Sequence, residues 1–361
     1  MEIAVLGGGN GCYAAAADLS ERGHRVRFWR RDAAALRPVL ESRSIRIRDF
    51  QGERDVAIAL PTSDIGAAVR GADLILVPTP AFAQADIAAA MAPHLSDGQV
   101  VFLPPGTFGS FVMMKRLRDA GCTAHVAFAE TGTLPWLVRK HGAATVAITT
   151  RATRLPTGVF PAEATEHALA VIARAFPKAI ERCEDALSGA LMNAGPIIHP
   201  PLILMNAGPI EHFERWDIHN EGTQPSVRRV TDALDAERVA IREALGYTAP
   251  HFPLADHYDS ARPEWMYGNM AHDKLVDSGD WRERLDLKTH RYMLEDVGHG
   301  LAFLVSVGEW AGVPCPVAAG LLALGSAVAE RDFRRSGRTL KTLGLDVLDR
   351  AAMRELLTRG I

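Results

Sequence analysis

The chain has 361 residues, of which 48% are hydrophobic, so it is long enough for two domains with well-filled cores, and we expect no extensive disorder. Its 40 Lys and Arg residues nearly balance its 43 Asp and Glu residues, and the net charge of -3 excludes a strongly basic nucleic-acid-binding protein. The cysteines form no C-x-x-C pair, which argues against a disulfide scaffold or a zinc site and fits a reducing compartment; they are Cys12, Cys122, Cys183 and Cys315.

The apolar segments indicate neither a signal peptide nor a membrane span. The N-terminal segment lacks a basic region and its apolar run is broken by glycines, while 187–210 is interrupted by Pro, Gly, Asn and His. We therefore expect a cytoplasmic protein that binds small molecules, with no nucleic-acid or membrane partner. The sequence leaves its oligomeric state open, a homodimer included.

The two halves of the chain differ in predicted secondary structure. In the first half, short β-rich runs alternate with alanine-rich helical runs, which is typical of a parallel sheet with helices on both faces. The predicted strands are 2–6, 25–29, 55–59, 73–77, 99–103, 125–129 and 143–149, and the predicted helices are 11–22, 32–41, 63–70, 82–93, 110–120 and 163–175. Only helical periodicity persists later, over 200–207, 226–245, 290–311, 315–331 and 346–358. We predict a Rossmann-type, doubly wound α/β domain over 1–183 and a mostly helical domain over 184–361.

A glycine-rich turn follows the first predicted strand and precedes the first predicted helix. Its sequence, GGGNGC, has the form G-x-G-x-x-C, which departs from G-x-G-x-x-G/A in a residue small enough for close helix packing. The first glycine permits the tight turn, the second lets the backbone approach a pyrophosphate, and the helix amides bind it. An incidental glycine turn is the alternative. We predict a dinucleotide site at Gly7, Gly9, Asn10, Gly11 and Cys12.

The end of the second predicted strand bears on which dinucleotide binds. Arg30 stands where an NAD-binding protein usually carries an acid for the ribose 2′-hydroxyl, and Arg31 follows it. Two guanidinium groups suit the 2′-phosphate of NADP. Asp32 lies near the sequence distance expected of a ribose-binding acid, so NAD stays the alternative, as does a merely solvated role for both arginines. We favour NADP.

Three more turns follow strands and are expected at the carboxyl edge of the sheet, where ligands of doubly wound folds bind. We predict that the first two contact the cofactor through Pro78, Thr79, Pro105 and Gly106. The third turn, in the sequence AETGTLPW, is predicted to face a substrate through Glu130, Thr131 and Trp136. A purely structural role for each turn is the alternative.

In the second half, His199 is the only ionisable side chain of the apolar segment NAGPIIHPPLILMNAG, 193–208. An unpaired buried imidazole is unfavourable, so it is either hydrogen-bonded in the core or functional, and this window favours neither. Pro200 disfavours a helical conformation for the residue before it. His199 is therefore predicted at or just before the start of helix 200–207, where free N–H groups would suit a carboxylate.

Four segments together resemble the opine dehydrogenase family, which includes octopine and nopaline dehydrogenases. They are the GGGNG turn, the AETGTLPW loop, the N-x-x-P-I-I-H-P-P segment and the R-Y-x-x-E-D helix start, and they span essentially the whole chain. The resemblance implies NAD(P)H-dependent reductive condensation of a 2-keto acid with the amino group of an amino acid, giving an N-(carboxyalkyl) amino acid. It also implies that His199 acts as acid and base, assisted by Asp296.

Supporting residues have alternative roles. Asn193 and Asn206 either orient the histidine segment beside the substrate or satisfy helix ends. Arg291 either holds a substrate carboxylate or forms a surface ion pair, and Asp296 is otherwise an ordinary acid in a first helical turn. The other histidines show no metal-binding spacing such as H-E-x-x-H, so we predict no metal.

Two other functions compete with this one. The first is a hydroxy-acid or polyol-phosphate dehydrogenase of the same plan, which is disfavoured because the segment 191–193 offers no lysine. The second is a non-catalytic dinucleotide-binding protein, which would keep the glycine turn but need neither His199 nor Asp296.

Overall fold

The computed structural model describes residues 1–259, 261, 265–268 and 271–361, which form two compact units. The first unit comprises Met1–Ala190 together with Arg354–Ile361, and the second comprises Leu191–Met353. The predicted boundary between 183 and 184 lies before the last short helix of the first unit, and the sequence pattern did not indicate that the C-terminal residues pack with that unit.

The first unit contains twelve strands and seven α-helices in its described residues before Leu191. In chain order they are β1 (Glu2–Leu6), α1 (Asn10–Glu21), β2 (Arg25–Trp29), α2 (Ala33–Ser42), β3 (Ser44–Asp49), β4 (Gly52–Ala57), β5 (Leu60–Thr62), α3 (Ile65–Val69), β6 (Leu74–Leu76), α4 (Gln84–Met91), β7 (Val100–Leu103), α5 (Gly109–Asp119), β8 (Ala127–Thr131), β9 (Trp136–His141), β10 (Thr145–Arg151), β11 (Leu155–Phe160), α6 (Thr165–Ala175), β12 (Ile180–Arg182) and α7 (Ala186–Ala190).

The main sheet has eight strands in the order β12-β11-β8-β7-β6-β1-β2-β5. Adjacent strands of this sheet run parallel, except that β8 and β11 are antiparallel to each other. The crossover from β1 to β2 on one side and to β6 on the other makes the sheet doubly wound, as predicted. The carboxyl ends of β1, β2 and β6 therefore meet at one edge.

Five strands of the first unit were missing from the prediction: β3, β5, β9, β11 and β12. Strand β11, LPTGVF, is buried along its whole length, but its proline and glycine weaken the local strand signal. The predicted strand 55–59 covers the end of β4 and stops just before β5. Tertiary pairing, rather than local propensity, decides these segments.

The missed strands β3 and β9 belong to a second sheet, ordered β4-β3-β10-β9, which packs on helix α1. Helix α1 also contacts β1 and β2 of the main sheet, and its residues from Gly11 to Leu19 are all buried. Its alanines let two layers of strands approach the same helix closely, which explains the run of small residues after the glycine turn.

The second unit is mostly helical, as predicted. Its main elements are α8 (Gly195–Leu204), α9 (Ala207–His212), β13 (Trp216–Asp217), α10 (Pro225–Ala244), α11 (Ala271–Ser278), β14 (Arg282–Glu283), a π-helical segment (Tyr292–Leu301), α12 (Ala302–Ala311), α13 (Pro316–Val328) and α14 (Phe333–Ser336). The last helix, α15 (Arg350–Arg359), begins in this unit and ends among the C-terminal residues assigned to the first. The two short strands form an antiparallel pair that the sequence pattern did not predict. No helix within the described ranges is long and apolar enough to cross a membrane.

Candidate active site

The glycine turn begins where β1 ends. Gly7 has a φ of +125° and its N–H donates to the Trp29 carbonyl oxygen over 3.0 Å, which ties the end of β1 to the end of β2. A Cβ at this position would lie 2.5 Å from the Thr79 methyl carbon and 2.8 Å from the Cys12 sulfur. Both the backbone conformation and the packing therefore require glycine.

Gly9 precedes the first residue of α1, and no side chain caps that helix. A Cβ on Gly9 would meet nothing within 4 Å, so the helix start faces open space. Uncapped amides at a helix start are suited to a phosphate group. Asn10 and Gly11 supply the first amides of this helix, in agreement with a pyrophosphate site.

Cys12 fills the position where glycine or alanine is usual. Its side chain is fully buried, and its thiol is within hydrogen-bonding distance of the carbonyl oxygens of Leu6 (3.6 Å) and Pro78 (3.5 Å). Burial raises the pKa of this thiol to about 12, so it stays protonated at neutral pH. Cys12 is therefore a packing residue of the turn.

The turn after β6 contributes an unsatisfied polar atom. The Thr79 hydroxyl oxygen is buried and has no hydrogen-bond partner among the described residues, although its methyl group packs against the glycine turn. A buried hydroxyl group without a hydrogen-bond partner is unusual, and a hydrogen bond to a bound ligand would account for it. Together with the uncapped start of α1, Thr79 shows that these residues fit a dinucleotide.

The predicted contacts at Pro105 and Gly106 have a different setting. Gly106 is buried, its carbonyl oxygen accepts from the Gln84 amide over 2.9 Å, and a Cβ on it would collide with the Glu130 side chain. Pro105 is partly exposed. Gly106 therefore packs on Glu130 inside the first unit, and only Pro105 retains surface that a cofactor can touch.

The three charged residues after β2 have distinct roles. The Arg30 side chain lies over the glycine turn, because a Cβ on Gly8 would be 2.7 Å from its Nε atom. Arg31 is exposed and is 3.6 Å from a carboxylate oxygen of Asp86. Asp32 accepts the Ala35 N–H over 3.0 Å and caps helix α2. Of these three side chains, Arg30 therefore faces the glycine turn, whereas Arg31 and Asp32 do not.

The substrate contacts predicted in the third turn are buried structural residues. Glu130 has no exposed surface, and its carboxylate accepts from the Phe108 N–H (2.6 Å), the Ser110 N–H (3.2 Å) and the Ser110 hydroxyl. These donors belong to the start of α5, which the carboxylate therefore caps.

Thr131 and Trp136 are also enclosed in the first unit. The Thr131 hydroxyl donates to the Pro156 carbonyl oxygen over 2.7 Å, and the Trp136 indole donates to Asp18 over 3.0 Å. Glu130, Thr131 and Trp136 therefore hold the first unit together, and none of the three is proposed here as a substrate contact.

The position predicted for His199 is wrong. Helix α8 begins at Gly195, five positions earlier than predicted, and His199 lies in its second turn. The prolines that follow do not start the helix but stand inside it, and since they lack N–H groups, the carbonyls of Pro196 and Ile197 lose their intrahelical donors. The free amides at the start of α8 therefore do not lie beside the imidazole, and the prediction of a carboxylate site at that place is wrong.

The histidine nevertheless meets the aspartate that the family resemblance pairs with it. The His199 Nδ1 atom is 2.8 Å from the Asp296 Oδ2 atom, although the two residues are 97 positions apart. The side chains are 17% and 10% exposed, so the pair is shielded but reachable. A carboxylate on one ring nitrogen fixes the tautomer and leaves proton exchange to the other nitrogen.

Two glycines allow the helices that carry this pair to approach each other. A Cβ on Gly195 would collide with the Asp296 carboxylate, and a Cβ on Gly300 would collide with the Pro196 ring. Asp296 itself lies in the π-helical segment, a rare form that often occurs at functional sites. The geometry of the pair is thus set by close backbone contact.

Tyr292 holds the imidazole from one side. Its ring stacks on His199 with a centroid distance of 3.9 Å and an interplanar angle of 19°, and it is 1% exposed. The Arg291 guanidinium lies 5.0 Å from the centre of the same ring. Arg291, Tyr292, His199 and Asp296 therefore form one cluster, and we had not predicted Tyr292 as part of it.

The charge of Asp296 depends on two opposing influences. Burial raises the pKa of its carboxyl group, whereas the positive charge of Arg291 acts to lower it. Among the described residues, no three His, Cys, Asp or Glu side chains are arranged to hold a metal ion. The chemistry available to this cluster is proton transfer and recognition of an anion.

Both predicted asparagines satisfy helix ends. The Asn193 side-chain oxygen accepts the Gly195 N–H over 3.0 Å at the start of α8. Asn206 lies just beyond the end of α8, and its side-chain amide donates to the carbonyl oxygens of Leu202 (2.8 Å) and Gly222 (3.0 Å). Each residue is 6% exposed, so the structure favours the helix-end role over substrate contact.

Comparison with known proteins matches the two parts of the chain to different family models. Residues 182–329 match the family model "NAD/NADP octopine/nopaline dehydrogenase, alpha-helical domain", and residues 2–105 match "NAD-dependent glycerol-3-phosphate dehydrogenase N-terminus". An opine dehydrogenase of Arthrobacter sp. (strain 1C) is 34% identical over 97% of this chain and 97% of its own length.

Solved structures of related fold include dinucleotide complexes. An octopine dehydrogenase in complex with NADH and agmatine superposes with a TM-score of 0.72 at 19% identity, covering 99% of this chain and 97% of that one. A yersinopine dehydrogenase with bound NADP+ gives a TM-score of 0.66 at 16% identity, covering 100% and 98%. At these identities the likeness establishes the fold.

Proposed function

Because this chain belongs to the opine dehydrogenase family of NAD(P)-dependent oxidoreductases, we propose that it joins a 2-keto acid to the amino group of an amino acid by reductive condensation. The hydrogen bond of 2.8 Å between His199 and Asp296 is the single observation that carries the assignment of roles. A non-catalytic dinucleotide-binding protein would have no need of a shielded histidine and carboxylate brought together from distant parts of the chain.

In this proposal, His199 is the acid and base. Asp296 holds the Nδ1 atom, so the Nε2 atom exchanges the proton with the substrate. After the amine nitrogen adds to the keto carbon and the keto oxygen becomes a hydroxyl, donation of that proton to the hydroxyl lets it leave as water. The C–O bond breaks as the nitrogen lone pair forms the C=N bond of the imine. Tyr292 is a positioning residue that keeps the imidazole plane fixed by stacking.

We propose Arg291 as the anion site, instead of the start of helix α8. Its guanidinium lies beside Tyr292, on which the imidazole stacks, and a guanidinium can hold a carboxylate through two parallel hydrogen bonds. We assign it to the carboxylate of the 2-keto acid. Its positive charge also acts against the burial that raises the pKa of Asp296.

The residues that would hold the cofactor lie in the first unit. The amides of Asn10 and Gly11 would bind the pyrophosphate, the Thr79 hydroxyl would form a hydrogen bond with the dinucleotide, and Gly7 and Gly9 would permit its close approach. When bound, the nicotinamide supplies the hydride that reduces the imine to a secondary amine. We propose a preference for NADP, because Arg30 lies over the turn whereas Asp32 caps a helix.

The test is an assay of NADPH and NADH oxidation with pyruvate, oxaloacetate or 2-oxoglutarate, each with and without a panel of amino acids. We expect oxidation only when both a keto acid and an amino acid are present, with a product whose mass equals that of the N-(carboxyalkyl) amino acid. Oxidation with a keto acid alone would contradict the proposal, since it would indicate a simple hydroxy-acid dehydrogenase.

The glycerol-3-phosphate dehydrogenase resemblance does not support a second function. It covers residues 2–105, which are the dinucleotide-binding part of the chain, and does not reach His199 or Asp296. The shared segment therefore explains cofactor binding without specifying the substrate.

A further inference from the structure

Lys140 lies beside the glycine turn although it is 130 residues distant in sequence from the start of helix α1. It stands on β9, which packs against α1, and its backbone N–H donates to the Asn10 side-chain oxygen over 3.2 Å. Asn10 is the first residue of that helix. The second sheet thus brings a cation to the same end of α1 that the glycines leave open.

Lys140 and Arg30 share one aromatic ring as their support. The Lys140 Nζ atom lies 4.2 Å from the centre of the Tyr13 ring, and the Arg30 Nη1 atom donates to the Tyr13 hydroxyl over 3.0 Å. Tyr13 is fully buried and packs edge-on against Phe28, with ring centres 4.9 Å apart. The ring is therefore a fixed platform that holds the two cations in one region.

These two cations have no counter-ion among the residues that the structure describes. In the described part of the chain, no carboxylate lies within 4.0 Å of the charged nitrogens of either residue, whereas neighbouring Arg31 faces Asp86. Partial burial and the nearby charge of Arg30 lower the pKa of Lys140, as expected for cations that repel each other. A site of this kind attracts a compact anion such as a phosphate monoester.

We infer that Lys140 and Arg30 together form the site for the adenosine 2′-phosphate of NADP, with Lys140 as a specificity-determining residue. Arg30 follows β2, the strand whose end faces the adenosine ribose in doubly wound dinucleotide folds. The pyrophosphate is served by the uncapped amides of α1, so the cation pair corresponds to the additional phosphate. Arg31 is not needed for this recognition.

This inference rests on the proposed preference for NADP, and direct binding can separate the two. Dissociation constants for NADPH, NADH, 2′,5′-ADP and 5′-AMP are measured by calorimetry on the full chain, without substrates. If the wild-type protein binds NADPH and NADH equally, the proposed preference fails. If it prefers NADPH, the variants below decide the role of Lys140.

Lys140→Met keeps the aliphatic stem over Tyr13 and removes the charge. We expect it to weaken NADPH and 2′,5′-ADP binding about tenfold or more, because the 2′-phosphate loses a hydrogen bond from a charged group. The affinities for NADH and 5′-AMP should change less than about twofold on the same scale. Lys140→Arg should retain the preference for NADPH.

Lys115→Met is the matched control, because Lys115 is an exposed lysine of the first unit that pairs with Asp119. It should leave all four affinities unchanged. Equal weakening of NADPH and NADH by Lys140→Met would overturn the inference, since it would place the lysine at the pyrophosphate or in the fold. An unchanged NADPH to NADH ratio would overturn it as well.

Discussion

In the first unit, the backbone groups of the glycine turn all come from one short segment, Gly7–Cys12. In the second unit, His199 and Asp296 are in contact although they are 97 residues apart in sequence. The turn depends on what each residue permits locally: a positive φ at Gly7 and open space at Gly9. The pair depends on two helical segments that touch through Gly195 and Gly300. A dinucleotide site can thus be encoded locally, while an acid and base pair requires packing.

The largest effect is expected for the pair. His199→Ala should lower kcat by about 10²–10⁴, the usual contribution of general acid and base catalysis, and should leave the dissociation constant of the cofactor unchanged. Steady-state kinetics and cofactor binding are measured on the same preparation. His212→Ala is the control, because His212 is an exposed histidine of the same unit. Substantial turnover in His199→Ala would remove the proposed role.

The glycine turn offers a matched pair of substitutions. Gly7→Ala forces a side chain into a positive φ and against Thr79, so it should destabilise the protein by about 1–3 kcal/mol and reduce cofactor binding. Gly9→Ala meets no atom in the protein, so its thermal stability should remain near wild type while cofactor affinity falls. Calorimetric Tm and binding constants test both. Unchanged affinity in Gly9→Ala would show that the helix start does not contact the dinucleotide.

The close contact behind the pair can be tested without changing either member. Gly195→Ala should displace the Asp296 carboxylate and lower kcat about tenfold or more, with a smaller effect on KM, because loss of acid and base positioning acts on the chemical step. Gly208→Ala, in an open position of helix α9, is the control and should be neutral. Wild-type kcat in Gly195→Ala would mean that the aspartate does not depend on this contact.

The smallest effect concerns the charge of Asp296. Because burial raises its pKa, the native state holds the proton more tightly than the unfolded chain, and stability should fall as the pH rises from the usual carboxyl range toward about 7. Asp296→Asn should remove this part of the pH dependence. Denaturant unfolding from pH 4 to 8 measures it. Parallel stability profiles for the two proteins would contradict a raised pKa.

Local sequence predicted the glycine turn well because its requirements are those of single residues. Gly7, Gly9 and Cys12 lie where the pattern of strand, turn and helix indicated. The prediction of His199 at a helix start failed because proline preferences assume an isolated helix, and packing of α8 against the π-helical segment overrides them. Only the family resemblance connected His199 with Asp296.

Other errors have the same physical origin. The turn after β8 carries polar residues of the kind that bind substrates, yet Glu130 caps α5 from within the core. Nothing in the local pattern distinguishes a buried capping carboxylate from a functional one, because the donors come from a segment about twenty residues away. Tyr292 and Lys140 were missed for a related reason: each acquires its neighbours only when distant segments pack.

The sequence by itself determined the family, the order of the two domains and the dinucleotide turn, since these follow from local conformational freedom and from contiguous motifs. Tertiary structure decided which polar residues are structural, where helix α8 begins and which cation joins Arg30 beside Tyr13. The physical reason is that burial and charge pairing depend on neighbours, and the neighbours of a side chain are set by packing between segments far apart in the chain.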